Sequence, residues 1–145
     1  MKLKTIFLML GLMLCFNFSQ VQAQEGTNPS SVNYQVGDLE KLDKLELTKI
    51  YIQKVNRLSQ IMPYLPFKKL EPKNPADLKI PGTSINEKAL SGYEKEIKNY
   101  TETSDAALSN LIPYADKKDI MDSIIFMQNF ISKIELIGLG MAPIN

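Results

Sequence analysis

The sequence predicts an all-α fold: a small bundle of three long helices with a proline-rich cover loop between the first and second. Three observations lead there. Apolar residues recur at helical spacing through three long stretches, and no alternating apolar run supports a strand. Five prolines, at 63, 66, 72, 75 and 81, exclude a long helix or central strand between the first two stretches. The last stretch, Asp116 to Leu139, is apolar over about 260° of its helical circumference, so it needs cover on several sides.

The chain has 145 residues, enough for one domain. Lys2 and Lys4 precede an uncharged run whose apolar centre, Ile6 to Phe18, is shorter than the ~20 residues of a membrane-spanning helix. Val21 and Ala23 then stand at the −3 and −1 positions of a signal peptidase site. Residues 1–23 read as a cleaved Sec-type secretion signal, so the mature protein is expected in the periplasm or outside the cell, with no stable membrane insertion. Cys15 follows Leu14 rather than the small residue of a lipoprotein signal, and it belongs to the apolar core of the leader. On that reading the mature chain has no cysteine and hence no disulfide.

The chain carries 17 basic and 16 acidic residues. Loss of Lys2 and Lys4 with the leader leaves a mature net charge of −1. A near-neutral protein has no field to hold nucleic acid or an anionic membrane. The abundance of Lys, Ile and Asn over a lone arginine, Arg57, fits an AT-rich bacterial genome.

Residues 24–37 are polar and turn-rich without an apolar period, and they are expected to form a mobile tail ahead of a single helical domain over 38–145. Asp38 is placed to cap a first helix running to about Met62, where Pro63 stops it. Leu39, Leu47, Ile50, Tyr51, Val55, Leu58, Ile61 and Met62 fall within an arc of about 160°. Leu42, Leu45 and Ile52 lie off it. Lys54 projects inside the arc. Either its stem snorkels to water, or its ammonium is partly buried beside a carboxylate, for which Glu135 is the candidate.

Between Met62 and Ser84, Tyr64, Leu65, Phe67, Leu70, Leu78 and Ile80 recur among the prolines. An apolar, proline-stiffened connection of this length reads as a lid over the bundle, or as a recognition loop in which Lys68, Lys69, Lys73 and Lys79 attract an anionic partner. Asn74 to Asp77 can start one helical turn, with Pro75 at its tolerated first position. Ser84 and Glu87 fit a capping box that opens a second helix reaching about Ile112. Leu90, Tyr93, Ile97, Tyr100, Ser104, Ala107 and Leu111 form a heptad seam, expected to pack inside the bundle. The first two helices can run parallel, or antiparallel with the loop folded across them.

The short link Pro113-Tyr114-Ala115 makes the second and third helices antiparallel neighbours. Asp116 and Asp119 suit the positive end of the third helix, and Gly138, Gly140 and Pro143 end it. In that helix Gln128 and Glu135 lie seven apart within the apolar arc.

The absence of histidine removes the commonest general base and metal ligand. No phosphate-binding glycine loop is present. Asp116, Asp119 and Asp122 lack the oxygen-rich loop of a calcium site. Asp122-Ser123-Ile124 is similar to the short O-glycosylation signal of secreted Bacteroidetes proteins. A carboxylate-only enzyme needs a cleft between rigid elements that the sequence does not predict. The expected function is therefore non-catalytic and free of metal or cofactor: an interaction module that binds a protein partner, or a second copy of itself. The candidate residues are Tyr64, Phe67, Lys68 and Lys69 in the proline-rich loop, and Met121, Ile125 and Phe126 on the third helix. The alternative is a carrier of an apolar ligand or lipid, with Met62, Met121, Met127 and Phe130 lining an adaptable pocket.

Overall fold

The computed structural model describes residues 32–138 and 140. The expected leader, Cys15, the first part of the tail and Pro143 lie outside them. The described residues are helical, with no strand among them. Four α-helices follow in order: α1 (Val36–Leu39), α2 (Lys44–Ile61), α3 (Ser84–Leu111) and α4 (Lys117–Gly138). Short 3-10 turns cover Met62–Phe67, Pro75–Leu78 and Ile112–Tyr114. None of the described helices is long and apolar enough to cross a membrane.

The predicted first helix is divided. The chain breaks after Leu39 and restarts at Asp43, whose Oδ1 accepts from the Glu46 N–H (2.8 Å) while Glu46 Oε2 accepts from the Asp43 N–H (2.9 Å). This reciprocal capping box satisfies two donors at the helix start and outcompetes Asp38, which sits inside α1 without capping anything. The break lets Leu39 drop fully into the core. Helix α3 is capped one residue earlier than expected, by Thr83, whose Oγ1 accepts from the Asn86 N–H (3.3 Å).

The main core lies between α2 and α4. Leu39, Leu47 and Ile50 pack with Ile120, Met121 and Ile124; further along, Ile61 packs with Ile131 and Ile134. Low-numbered residues of one helix meet low-numbered residues of the other, so α2 and α4 are parallel. Each fully buried Leu or Ile contributes about 1.5–3 kcal/mol. Helix α3 runs antiparallel to both. Lys44 Nζ, at the start of α2, donates to the carbonyls of Pro113 (3.4 Å) and Ala115 (2.7 Å), just past the end of α3. Asn56 Nδ2 donates to Asp105 (2.8 Å), and Tyr64, just past the end of α2, meets Tyr93 edge-on at 6.1 Å.

Helix α2 is thus the shared neighbour. None of the three buried clusters joins α3 to α4. The expectation that these two helices are packed neighbours is corrected: the short link reverses the chain, but α3 lies along α2. The expected intramolecular burial of the α3 seam is corrected too. Only Leu90 of α3 is buried, with Tyr64 and Leu78 of the proline-rich segment, while Tyr93, Tyr100 and Leu111 remain exposed.

The proline-rich segment does lie over the helices. Leu65 and Leu70 pack against the Ile61–Ile131–Ile134 cluster. Gly138 matters to this contact: a Cβ there would meet the Leu70 side chain at 2.7 Å, closer than any side chain tolerates. Asn74 caps the predicted turn, accepting from the Asp77 N–H (3.1 Å). Lys68 and Lys79 end the two turns with φ of 52° and 59°, the left-handed conformation that favours glycine.

Replacing Asp43 by Ala removes the capping box and is expected to lower stability by about 1 kcal/mol in a denaturant titration. Lys79→Gly relieves the left-handed lysine and is expected to raise stability by about 0.5–1 kcal/mol in the same assay.

Candidate functional site

Two surfaces gather the chemistry of the fold: a polar seam along one edge of the α2–α4 contact, and an apolar face along α3.

The seam is built from Lys54 and Arg57 on α2 and from Gln128 and Glu135 on α4. Lys54 is only 1% exposed, so the snorkelling expectation is overturned. Its Nζ donates to the Val32 carbonyl (2.6 Å) and lies 5.7 Å from the centre of the Tyr34 ring, within cation–π range. Gln128, also buried, pairs with both backbone polar groups of Tyr34: its Oε1 accepts from the Tyr34 N–H (2.6 Å) and its Nε2 donates to the Tyr34 carbonyl (3.1 Å). The end of the expected mobile tail is therefore docked. Its anchor has no side-chain pattern because the receptor binds backbone.

Glu135, the carboxylate anticipated for Lys54, accepts from Arg57 Nη2 (3.0 Å) and acts on Lys54 through its charge. The other fork of Arg57 donates to Glu71 Oε1 (2.5 Å), tying the proline-rich segment to both long helices. Arg57 Nε is buried without a hydrogen-bond partner. Burial opposes the guanidinium charge, but the hydrogen bonds and charges of Glu71 and Glu135 outweigh it and raise the pKa further. Burial lowers the pKa of Lys54, partly offset by Glu135. Sequence reasoning singled out Lys54, Gln128 and Glu135 but missed Arg57, three residues from Lys54 and on the same side of α2.

The α3 face holds three open clefts that share residues and so run together. One of about 300 Å3 has a mixed lining, in which Tyr64, Leu70 and Ile97 stand beside Glu71, Glu94 and Lys98. Another of about 390 Å3 is lined by Phe67, Leu78, Ile80, Leu90 and Tyr93. A third of about 320 Å3 lies among Ser59, Tyr93, Ile97 and Tyr100. Of the loop candidates, Tyr64 is buried at the base of this face, and its hydroxyl pKa is raised by burial and by the Glu94 charge. Phe67 lines the second cleft, and Lys68 and Lys69, next to it in the chain, are exposed.

On α4 the candidates separate. Met121 is buried in the core and Ile125 is half-buried against it. Phe126 is 69% exposed and stacks on Phe130 at 6.3 Å. A cleft of about 380 Å3 lies beside Phe126 and Met127, with half-buried Ser123 and Tyr51. Of the residues proposed to line a carrier pocket, Met121 packs in the core, Met127 is buried at the edge of the cleft beside Phe126, and Met62 and Phe130 are exposed. Asp122 pairs with Lys118 on the surface. Among the described residues, no group of three or more acidic side chains could hold a metal ion.

A lysine whose folded pKa lies below its unfolded 10.5 binds fewer protons folded than unfolded. Stability therefore rises with pH between the lowered value and 10.5. Comparing wild type with Lys54→Met isolates this group. The stability difference is expected to move in favour of wild type as pH is raised from neutral towards 10.5, read from denaturant midpoints at each pH.

No family model, curated protein or solved structure matches this chain.

Proposed function

We propose that the mature protein is a secreted or periplasmic, non-catalytic interaction module, and that its α3 face docks an amphipathic helix of a partner protein. The observation that carries this reading is the uncovered seam of α3. A helix of 28 residues buries one apolar residue, while Tyr93, half-buried Ile97 and Tyr100 follow at heptad spacing beside a run of clefts. Heptad spacing is what a second helix packs against. Tyrosines suit such a face because they combine apolar area with a hydroxyl that tolerates water. Phe67 extends the apolar face, and Lys68 and Lys69 at its end favour a partner helix that carries acidic residues there.

The test is photo-crosslinking in the native secreting cell, with a photoreactive amino acid at Tyr100 or, as a control, at the exposed Lys95 on the opposite side of α3. The expected result is a discrete adduct from Tyr100, mapping to a helical segment of another protein, and none from Lys95. Tyr100→Asp should abolish that adduct's partner in co-purification while changing stability by no more than about 0.5 kcal/mol. Equal labelling from both positions, or an adduct of the chain only with itself, would sink the reading.

A further inference from the structure

Residues 32–39 form an arm whose described packing runs to α2 and α4 and not to α3. At its inner end Leu39 is fully buried beside Leu47 and Ile120. At its outer end the contacts are of another kind. Lys54 Nζ takes the Val32 carbonyl, and the Gln128 amide takes the N–H and carbonyl of Tyr34. Two carbonyls spaced two residues apart lie on one side of an extended chain, and that is the spacing being read. The side chains of Val32, Asn33 and Gln35 are exposed, so Tyr34 is the one side chain of the outer arm that the slot engages, through its ring. The Gln128 amide also has a defined orientation here, because turning it over would set donor against donor and acceptor against acceptor.

We propose that the Lys54–Gln128 seam is a backbone-reading slot for a peptide segment with a tyrosine at the position of Tyr34, filled by the chain's own arm and able to take the same arm of a second copy in exchange. This site is separate from the α3 face and does not depend on the reading of that face. The second copy is the fitting occupant because it carries the one segment already seen to satisfy the slot. The arm joins the fold through the turn at residues 40–43, ahead of a helix that caps itself through Asp43 and Glu46. Exchange of an identical element through such a connection changes no contact except at the turn.

The experiment uses the full mature chain carrying Tyr34→Pro, which removes the N–H that Gln128 accepts, with circular dichroism confirming its helix content. A fluorescent peptide of residues 32–36 stands in for the second copy and is titrated to millimolar concentration, followed by anisotropy. Saturable binding is expected, at least tenfold weaker when the peptide's Tyr34 nitrogen is methylated or when Gln128→Ala is added to the protein. No saturable binding to the folded variant, or binding indifferent to both changes, overturns the proposal. Should Tyr34→Pro not fold, the unaltered protein serves. Hydrogen exchange of its Tyr34 amide should quicken severalfold as unlabelled peptide approaches the millimolar effective concentration of the tethered arm, and an unchanged rate overturns the proposal equally.

Discussion

Leu47, Ile50 and Ile61 on α2 meet Ile120, Ile124, Ile131 and Ile134 on α4, and every other element is placed by what this contact leaves uncovered. Helix α4 is apolar around most of its circumference, and one neighbour cannot enclose it. The arm closes one edge through Leu39 and Tyr34. The proline-rich segment closes the far end through Leu65 and Leu70, the latter seated on Gly138. Helix α3 takes no part in this enclosure. It lies along α2 and buries Leu90 against Tyr64 and Leu78.

The polar groups along the α2–α4 edge follow the same logic. A buried ammonium and a buried amide are costly unless each finds partners. Lys54 and Gln128 find theirs in the backbone of the arm, and Arg57 finds Glu71 and Glu135. These contacts tie the arm and the proline-rich segment to the central pair of helices. Apolar side chains of equal volume would hold the arm less specifically, since a greasy contact tolerates a shift in register that a paired amide does not.

Much of this was legible in the residues, and the parts that were not have physical reasons. The apolar breadth of Ile120 to Ile137 announced a helix covered on several sides. Pro63 and Pro113 marked the stops, and Asn74–Asp77 marked a turn. The break before α2 was also written, as Asp43 and Glu46, but Leu39 falls on the same apolar arc as Leu47 and Ile50 and hides it. The docked arm has no periodic signal, since what is recognised in it is mostly peptide group. Heptad spacing along α3 says which residues share a face, and says nothing about whether a face meets anything. Lys54 and Glu135 stood out as polar residues in apolar arcs, and the structure buries the first and half-buries the second. Which cation the carboxylate takes depends on reach across the helix pair, and Arg57 has the longer, forked side chain.

The parallel pairing of α2 with α4 bears on how the chain folds. Parallel neighbours cannot be joined by a short turn, so the proline-rich segment and all of α3 lie inside the loop that this pairing closes. Core formation waits on a contact distant in sequence, which slows folding relative to a bundle of successive hairpins. Once closed, the pair retains most of the buried apolar surface whether or not α3 is seated. Helix α3, tethered at both ends, buries only Leu90 and is the long helix with the least buried surface to hold it down. Seating or unseating α3 thus leaves the α2–α4 core in place.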